Sequence, residues 1–358
     1  MDDIEREDAR AKWPRVKGVV IAGVGELAAE CRGHLGPANR GNGSVSAQDK
    51  TKALRHRVTT EIINNSSQDT DVSGRLRAYK VLEAPLAVSP PPELKAVADL
   101  RDQAPNLAAV LDDLEIDLRF MKRKGVQMAP PRHILLWGAS GAGKTWAANR
   151  LAGVLSEKAM FHSAAGMSSA IEIVGQPAGF RSADASLAVR AIARSRRANP
   201  AIVFDEIDKA GSSDWNGDVR LALLPFTEAE SSSHYYDAFT QIHIDCSHVT
   251  WIFTANQIEK LPEPLVSRLS VYEIARPGVE SLYAVLKGFR QDMARRYGLS
   301  LTKIPAIDDI LQLRVEKALL RGDSLRDIRS EFEVEIKRRA VANPRRRPQP
   351  RPTPMPVT

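Results

Sequence analysis

Cysteine is nearly absent. Cys31 and Cys246 are the only two in 358 residues. They stand far apart without metal-ligand spacing, so no cysteine-based metal module is expected and a reducing cytoplasm is the simplest compartment. Long apolar runs are missing too. No uncharged stretch approaches the roughly 18 residues that a membrane span needs, so no membrane partner is expected. The start, MDDIEREDARAKW, is acidic and lacks a hydrophobic segment, so no secretory signal is expected there. No internal repeat is apparent.

An apolar content of 43% with 27% charged residues reads as a soluble, globular chain with room for two or three domains. The net charge of +7 invites a nucleic-acid partner, but four of the arginines (Arg345, Arg346, Arg347 and Arg351) lie in the acid-free last eighteen residues and the body keeps only +3. That tail, 341–358, alternates prolines and reads as a disordered, extended end. Nucleic acid is thus a weakly supported partner.

Residues 1–100 form a poorly defined, partly loop-like region. Gly23 and Gly25 flank an apolar run, but the third glycine of a dinucleotide site is missing. Val88–Glu93, VSPPPE, marks a linker, and the apolar spacing of Leu107, Val110, Leu111, Leu114 and Leu118 predicts a helix leading into the next domain. From His133 the runs HILLW, AMFHSA, AIVF, VTWIFT and VYEI alternate with helical patterns, which predicts an α/β fold with a parallel sheet flanked by helices over 101–277. Beyond Pro277 three amphipathic helices predict a small α-helical lid domain over 278–340.

The segment Gly138, Ala139, Ser140, Gly141, Ala142, Gly143, Lys144 and Thr145 reads G-x-x-x-x-G-K-T between a strand and a helix. Glycines let backbone N–H groups close around phosphate oxygens, Lys144 adds a charge for the outer phosphates, and Thr145 can hold Mg²⁺. Asp205 and Glu206 end the strand AIVF, where a carboxylate meets ligands beyond the sheet. Asp205 suits Mg²⁺ through water, and Glu206 suits a general base for an attacking water. Asn256, two residues past VTWIFT, can orient that water or sense the terminal phosphate. Arg268 follows the proline-fixed turn LPEPL and could reach a neighbouring subunit's ATP.

These strings, in this order, carry a family likeness. GASGAGKT, NPAIVFDEIDKAGSSDWNGDVRLALL, HYYDAFTQIHIDCSHVTWIFTAN and LPEPLVSRLSVYEI resemble the AAA+ ATPases, within them the ATPase module of Lon proteases. The resemblance implies a P-loop NTPase sheet with a helical lid, ATP and Mg²⁺ as cofactors, and a homo-oligomeric ring, expected to be a hexamer, acting on a protein substrate or partner. It assigns Lys144 and Thr145 to Walker A, Asp205 and Glu206 to Walker B, Asn256 to sensor 1, Arg268 to the arginine finger and Arg326 to sensor 2. Phe180 and Trp215 fall where pore loops would grip a polypeptide, although either aromatic could be core. Only eighteen residues follow Ala340, and Ser324 and Ser330 have no expected base partner, so no intrinsic peptidase is expected. The implied function is an ATP-hydrolysing protein remodeller or unfoldase. An ATP-switched scaffold and a DNA-associated motor or loader are the alternatives.

Overall fold

A computed structural model describes residues 54–64, 70–180, 182–213, 215 and 217–342. Cys31, the paired glycines Gly23 and Gly25, and the arginines of the tail lie outside the described residues. Strands β1 (Arg55–His56) and β2 (Leu86–Ala87) pair antiparallel, with helix α1 (Thr70–Tyr79) between them in sequence. Helices α2 (Leu94–Arg101) and α3 (Ala108–Lys124) follow. These elements rest on the next layer through specific bonds. Asn199 receives the Ser89 N–H (2.7 Å) and donates to the Ser89 carbonyl (2.9 Å), and the Asp245 N–H donates to the Val58 carbonyl (2.7 Å).

Five strands make the central sheet: β3 (His133–Trp137), β4 (Ala159–Ser163), β5 (Ala201–Asp205), β10 (Thr250–Ala255) and β11 (Ser270–Glu273). Their order is β11-β3-β10-β5-β4 and every pairing is parallel. Such a sheet is covered on both faces, which is why its inner strands read as unbroken apolar runs rather than as alternation. Ile134, Leu136, Val203 and Ile252 are buried against Leu107, Leu111 and Leu114 of the leading helix region and Ala148 and Leu151 of α4 (Lys144–Leu155). The helix that the leucine spacing of 107–118 predicts is therefore a cover of the sheet.

Short elements fill the far side. They are α5 (Ile171–Val174), α6 (Leu187–Ser195), the hairpin-like pair β6 (Ser212–Ser213) and β7 (Gly217–Asp218), α7 (Ala229–Ser233), β8 (Tyr235–Asp237), β9 (Ile242–Ile244) and α8 (Glu263–Val266). The lid has a core of its own. Helices α9 (Leu282–Arg296), α10 (Asp309–Leu320) and α11 (Leu325–Ala342) bury Leu286, Phe289, Leu311, Val315, Ile328 and Phe332 against one another. Asp308 caps α10, its carboxylate accepting the Leu311 N–H at 2.8 Å. Among the described residues no helix is long and apolar enough to cross a membrane.

Asp237 is the buried polar peg of this side. It is 0% exposed, yet its carboxylate accepts from the N–H groups of Ser186 (2.8 Å), Phe239 (3.2 Å) and Thr240 (2.9 Å) and from the Thr240 hydroxyl (3.0 Å). It thereby fastens β8 to the start of α6. Removing it strands several buried donors, each worth about 1–3 kcal/mol when unmade. Asp237→Ala is expected to lower unfolding stability by about 2–4 kcal/mol, and Asp237→Asn, which keeps an acceptor oxygen, by less. Denaturant melts of the two variants check this.

Candidate active site

The nucleotide loop begins where β3 ends. Gly138 has φ of 150°, and a methyl there would strike the carbonyl oxygen of Ile274. Gly141 (φ 79°) and Gly143 (φ 88°) are left-handed, a conformation that disfavours any side chain. A methyl on Gly141 would stand 2.8 Å from Ser324 Cβ, and one on Gly143 would stand 3.2 Å from Leu325 Cδ1. The loop is thus pressed against the start of α11, and the Leu325 N–H donates to the Gly141 carbonyl at 3.3 Å. No side chain caps α4 at Gly143. Its first N–H groups remain available to an anion at the positive end of the helix.

Lys144 is only 7% exposed. Its ammonium donates to the carbonyls of Gly138 and Ala139 (both 2.9 Å) and to Asn256 Oδ1 (2.8 Å). Burial pulls its pKa below the ordinary ammonium range, against the opposing pull of Asp208, Asp205 and Glu206. A buried cation ringed by oxygen atoms fits a phosphate, which supplies the same kind of acceptor. Thr145 Oγ1 donates to Asp205 across 2.9 and 3.0 Å, and Thr254 Oγ1 donates to Asp205 Oδ1 at 2.5 Å. Hydroxyl and carboxylate together are the hard oxygen donors that Mg²⁺ takes.

Glu206 stands apart. Its φ of 58° is left-handed, uncommon for a residue with a side chain. The Thr254 hydroxyl accepts the Glu206 N–H at 2.9 Å, and Glu206 Oε1 accepts from Lys209 Nζ at 2.6 Å. Sequence reasoning missed Thr254, Lys209 and Asp208. Asp208 is buried with Oδ1 unpartnered, while its other oxygen accepts the Gln257 N–H at 3.2 Å. Signals for them existed: Thr254 is two residues before Asn256, hence on the same side of the strand, and Asp208 is the next acid after Glu206. Arg276 was missed as well. It donates to the carbonyls of Ser140 (3.0 Å) and Gly322 (3.1 Å), joining the loop to the lid.

The remaining predicted residues lie elsewhere. Arg268 donates to the Pro264 carbonyl (2.5 Å) and to Glu228 (3.4 Å), and none of these bonds reaches the nucleotide loop of its own chain. Arg326 is exposed one residue after Leu325, beside the loop's contact with α11. Phe180 is 57% and Trp215 is 95% exposed, so neither is core. The Ser324 hydroxyl donates to Asp327 (2.6 Å) and accepts the Asp327 N–H (3.2 Å), the bonding of a helix cap rather than of a nucleophile with a base.

Comparison with known proteins agrees with this geometry. Residues 134–277 match the family model described as "ATPase family associated with various cellular activities (AAA)". The Lon protease of Chlamydia trachomatis is 33% identical over 172 residues, which are 48% of this chain and 21% of that protein. The mitochondrial Lon protease homolog of Homo sapiens is 27% identical over 208 residues, 58% of this chain and 22% of that protein. The chain therefore spans about a fifth of the length of the curated relatives it matches. A cryo-EM reconstruction of the closed state of Hsp104 with ATPyS and FITC casein shares the fold, with a TM-score of 0.54 at 15% identity over 78% of this chain and 50% of that one. A parallel sheet in the order β11-β3-β10-β5-β4, a glycine loop at its carboxyl edge and these relatives converge on one conclusion: residues 134–277 of the chain are a domain of the AAA ATPase family, similar to the ATPase region of Lon proteases.

Proposed function

We propose that this domain binds ATP with Mg²⁺ and hydrolyses it to ADP and phosphate, working in a ring of copies that remodels or threads protein. The observation that carries the catalytic half is the meeting of Lys144, Asn256, Thr145 and Asp205 at the carboxyl ends of β3, β5 and β10. In the proposed reaction, Lys144 and the N–H groups at the start of α4 hold the outer phosphates, with Lys144 exchanging its present carbonyl partners for phosphate oxygens. Thr145 and Asp205 would hold Mg²⁺, which when bound neutralises charge on the phosphates. Asn256 orients a water. Glu206, once free of Lys209, takes a proton from that water as its oxygen bonds to the terminal phosphorus and the bond to the leaving ADP oxygen breaks.

Arg268 and Arg326 complete the proposal. Arg268 bonds Pro264 and Glu228 and not its own nucleotide loop, which supports a role for it at a neighbouring copy, and Arg326 sits on the lid helix that touches the loop. The remodelling half rests on Phe180 and Trp215, large apolar side chains left in solvent. Phe180 lies on a segment closed at its base by the Gln176 N–H donating to the Asp184 carbonyl at 3.0 Å. The structural neighbour with casein supports a protein as the object of the work. A free, buried Cys246 suits a reducing compartment such as the cytoplasm.

Binding and turnover separate at two residues. Lys144→Ala removes the charge from the phosphate cradle and is expected to abolish nucleotide binding. Glu206→Gln is expected to keep binding while phosphate release falls about a hundredfold or more. Nucleotide titration and phosphate release are measured on both, and parent-like turnover by Glu206→Gln rejects it as the base.

Grip on polypeptide separates at a third. Phe180→Ala is expected to leave melting temperature and basal ATPase unchanged but to remove stimulation by an unfolded protein, because an exposed ring offers a flat apolar contact that the ATP site does not need. Full stimulation of a folded Phe180→Ala protein rejects the threading role of this residue.

A further inference from the structure

At the opposite end of β10 from Asn256, three side chains from two distant parts of the chain converge. His56 lies on β1, while Asp245 and His248 lie in the loop between β9 and β10. His56 Nε2 is 2.9 Å from Asp245 Oδ2, and His248 Nε2 is 3.7 Å from the same oxygen. The two imidazoles meet edge to face with centroids 4.6 Å apart. One ligand atom from each of the three residues lies within 4.8 Å of the other two.

Hydrogen bonding leaves this cluster incomplete. Asp245 Oδ1 is occupied by the Ser247 N–H (2.9 Å) and hydroxyl (2.6 Å), which turns Oδ2 toward the rings. His56 can donate to that oxygen. His248 cannot, since 3.7 Å is too long for a hydrogen bond, and its Nδ1 is buried with no partner. The His248 side chain is 21% exposed, but its buried Nδ1 left without a partner is an unfavourable arrangement for a folded protein to keep.

We propose that His56, Asp245 and His248 bind a divalent transition-metal ion of the zinc type. Two neutral imidazoles and one carboxylate are ligands that zinc takes at about 2.1 Å, and ligands at that distance from a tetrahedral centre stand about 3.4 Å apart. The two histidine–aspartate separations, 2.9 and 3.7 Å, bracket that value, and the two histidine ligand atoms lie within 4.8 Å, so side-chain shifts of about 1 Å close the site. The fourth position is left to water. Ser247 fixes the carboxylate from outside, as partners of metal-binding groups do. The ion would clasp β1 to the loop that feeds β10, on the far side of the sheet from Thr145 and Asp205. It is therefore a site separate from that of Mg²⁺.

The test uses the full chain, stripped with chelator and titrated with Co²⁺ as the visible probe and Zn²⁺ as competitor. The expected result is a Co²⁺ absorption band that saturates at equimolar metal and is bleached by Zn²⁺, and a melting temperature that Zn²⁺ raises. His56→Gln and His248→Asn, which keep polar side chains and the packing of β1, are each expected to weaken metal binding about a hundredfold or more with unchanged circular dichroism. His56→Ala and His248→Ala should do the same. A folded chain with no Co²⁺ band, or a band that both histidine variants retain, overturns the assignment.

Discussion

The buried ammonium of Lys144 sets the terms for everything around it. Taking such a charge out of water costs several kcal/mol unless oxygen atoms replace the lost solvent. Here they come from the Gly138 and Ala139 carbonyls and from Asn256. Two of the three belong to the loop itself and the third arrives only because β10 lies next to β3. The sheet order is thus also an electrostatic arrangement. Asp205, Asp208 and Glu206 add negative charge from β5 and the turn after it, and all three raise the proton affinity that burial lowers. A phosphate entering this place meets a cation already desolvated, and attraction between them is little screened.

The same loop is held from the other side by the lid. Its glycines abut Ser324 and Leu325, and Arg276 bridges Ser140 to Gly322. Farther along α4, Trp146 Nε1 donates to Asp292 at 2.7 Å and Arg150 pairs with the same carboxylate, which also meets Arg295 and Arg329 at 3.4 Å. The P-loop helix is therefore wedged between the sheet and the lid, with few apolar and many directed contacts on the lid side. A ligand that reordered the loop would disturb these bonds, and under the proposed function that is the route by which nucleotide would act on the lid helices.

Much of the fold was legible because parallel strands buried on both faces leave short apolar runs, here too short for helices and rich in Ile, Val and aromatics. HILLW coincides with β3 at both ends, AMFHSA and AIVF differ from β4 and β5 by one residue at the carboxyl end, and VTWIFT and VYEI are offset from β10 and β11 by one residue at each end. The residues at the strand ends were legible for the same reason: Asp205 and Asn256 follow runs that must terminate at the ligand edge. Glu206 was legible as an acid but not as a partner of Lys209, since that pairing depends on one left-handed backbone angle. The elements between residues 54 and 101 were not legible at all, their strands being two residues long. His56 and Asp245 are 189 positions apart, and no spacing rule connects them. Exposure of Phe180 and Trp215 was equally hidden, because an aromatic in a loop reads the same whether it packs or projects.

The proposed function has this chain hydrolyse ATP at a site completed by a second copy. Phosphate release by the unaltered protein, measured over a range of protein concentrations with Mg²⁺ and with chelator, distinguishes the outcomes. The expected result is Mg²⁺-dependent turnover whose rate per chain rises with concentration as copies assemble and then levels off. Absence of Mg²⁺-dependent release from a folded protein at saturating ATP contradicts the enzyme, and a rate per chain that never varies with concentration while the protein is monomeric contradicts the shared site.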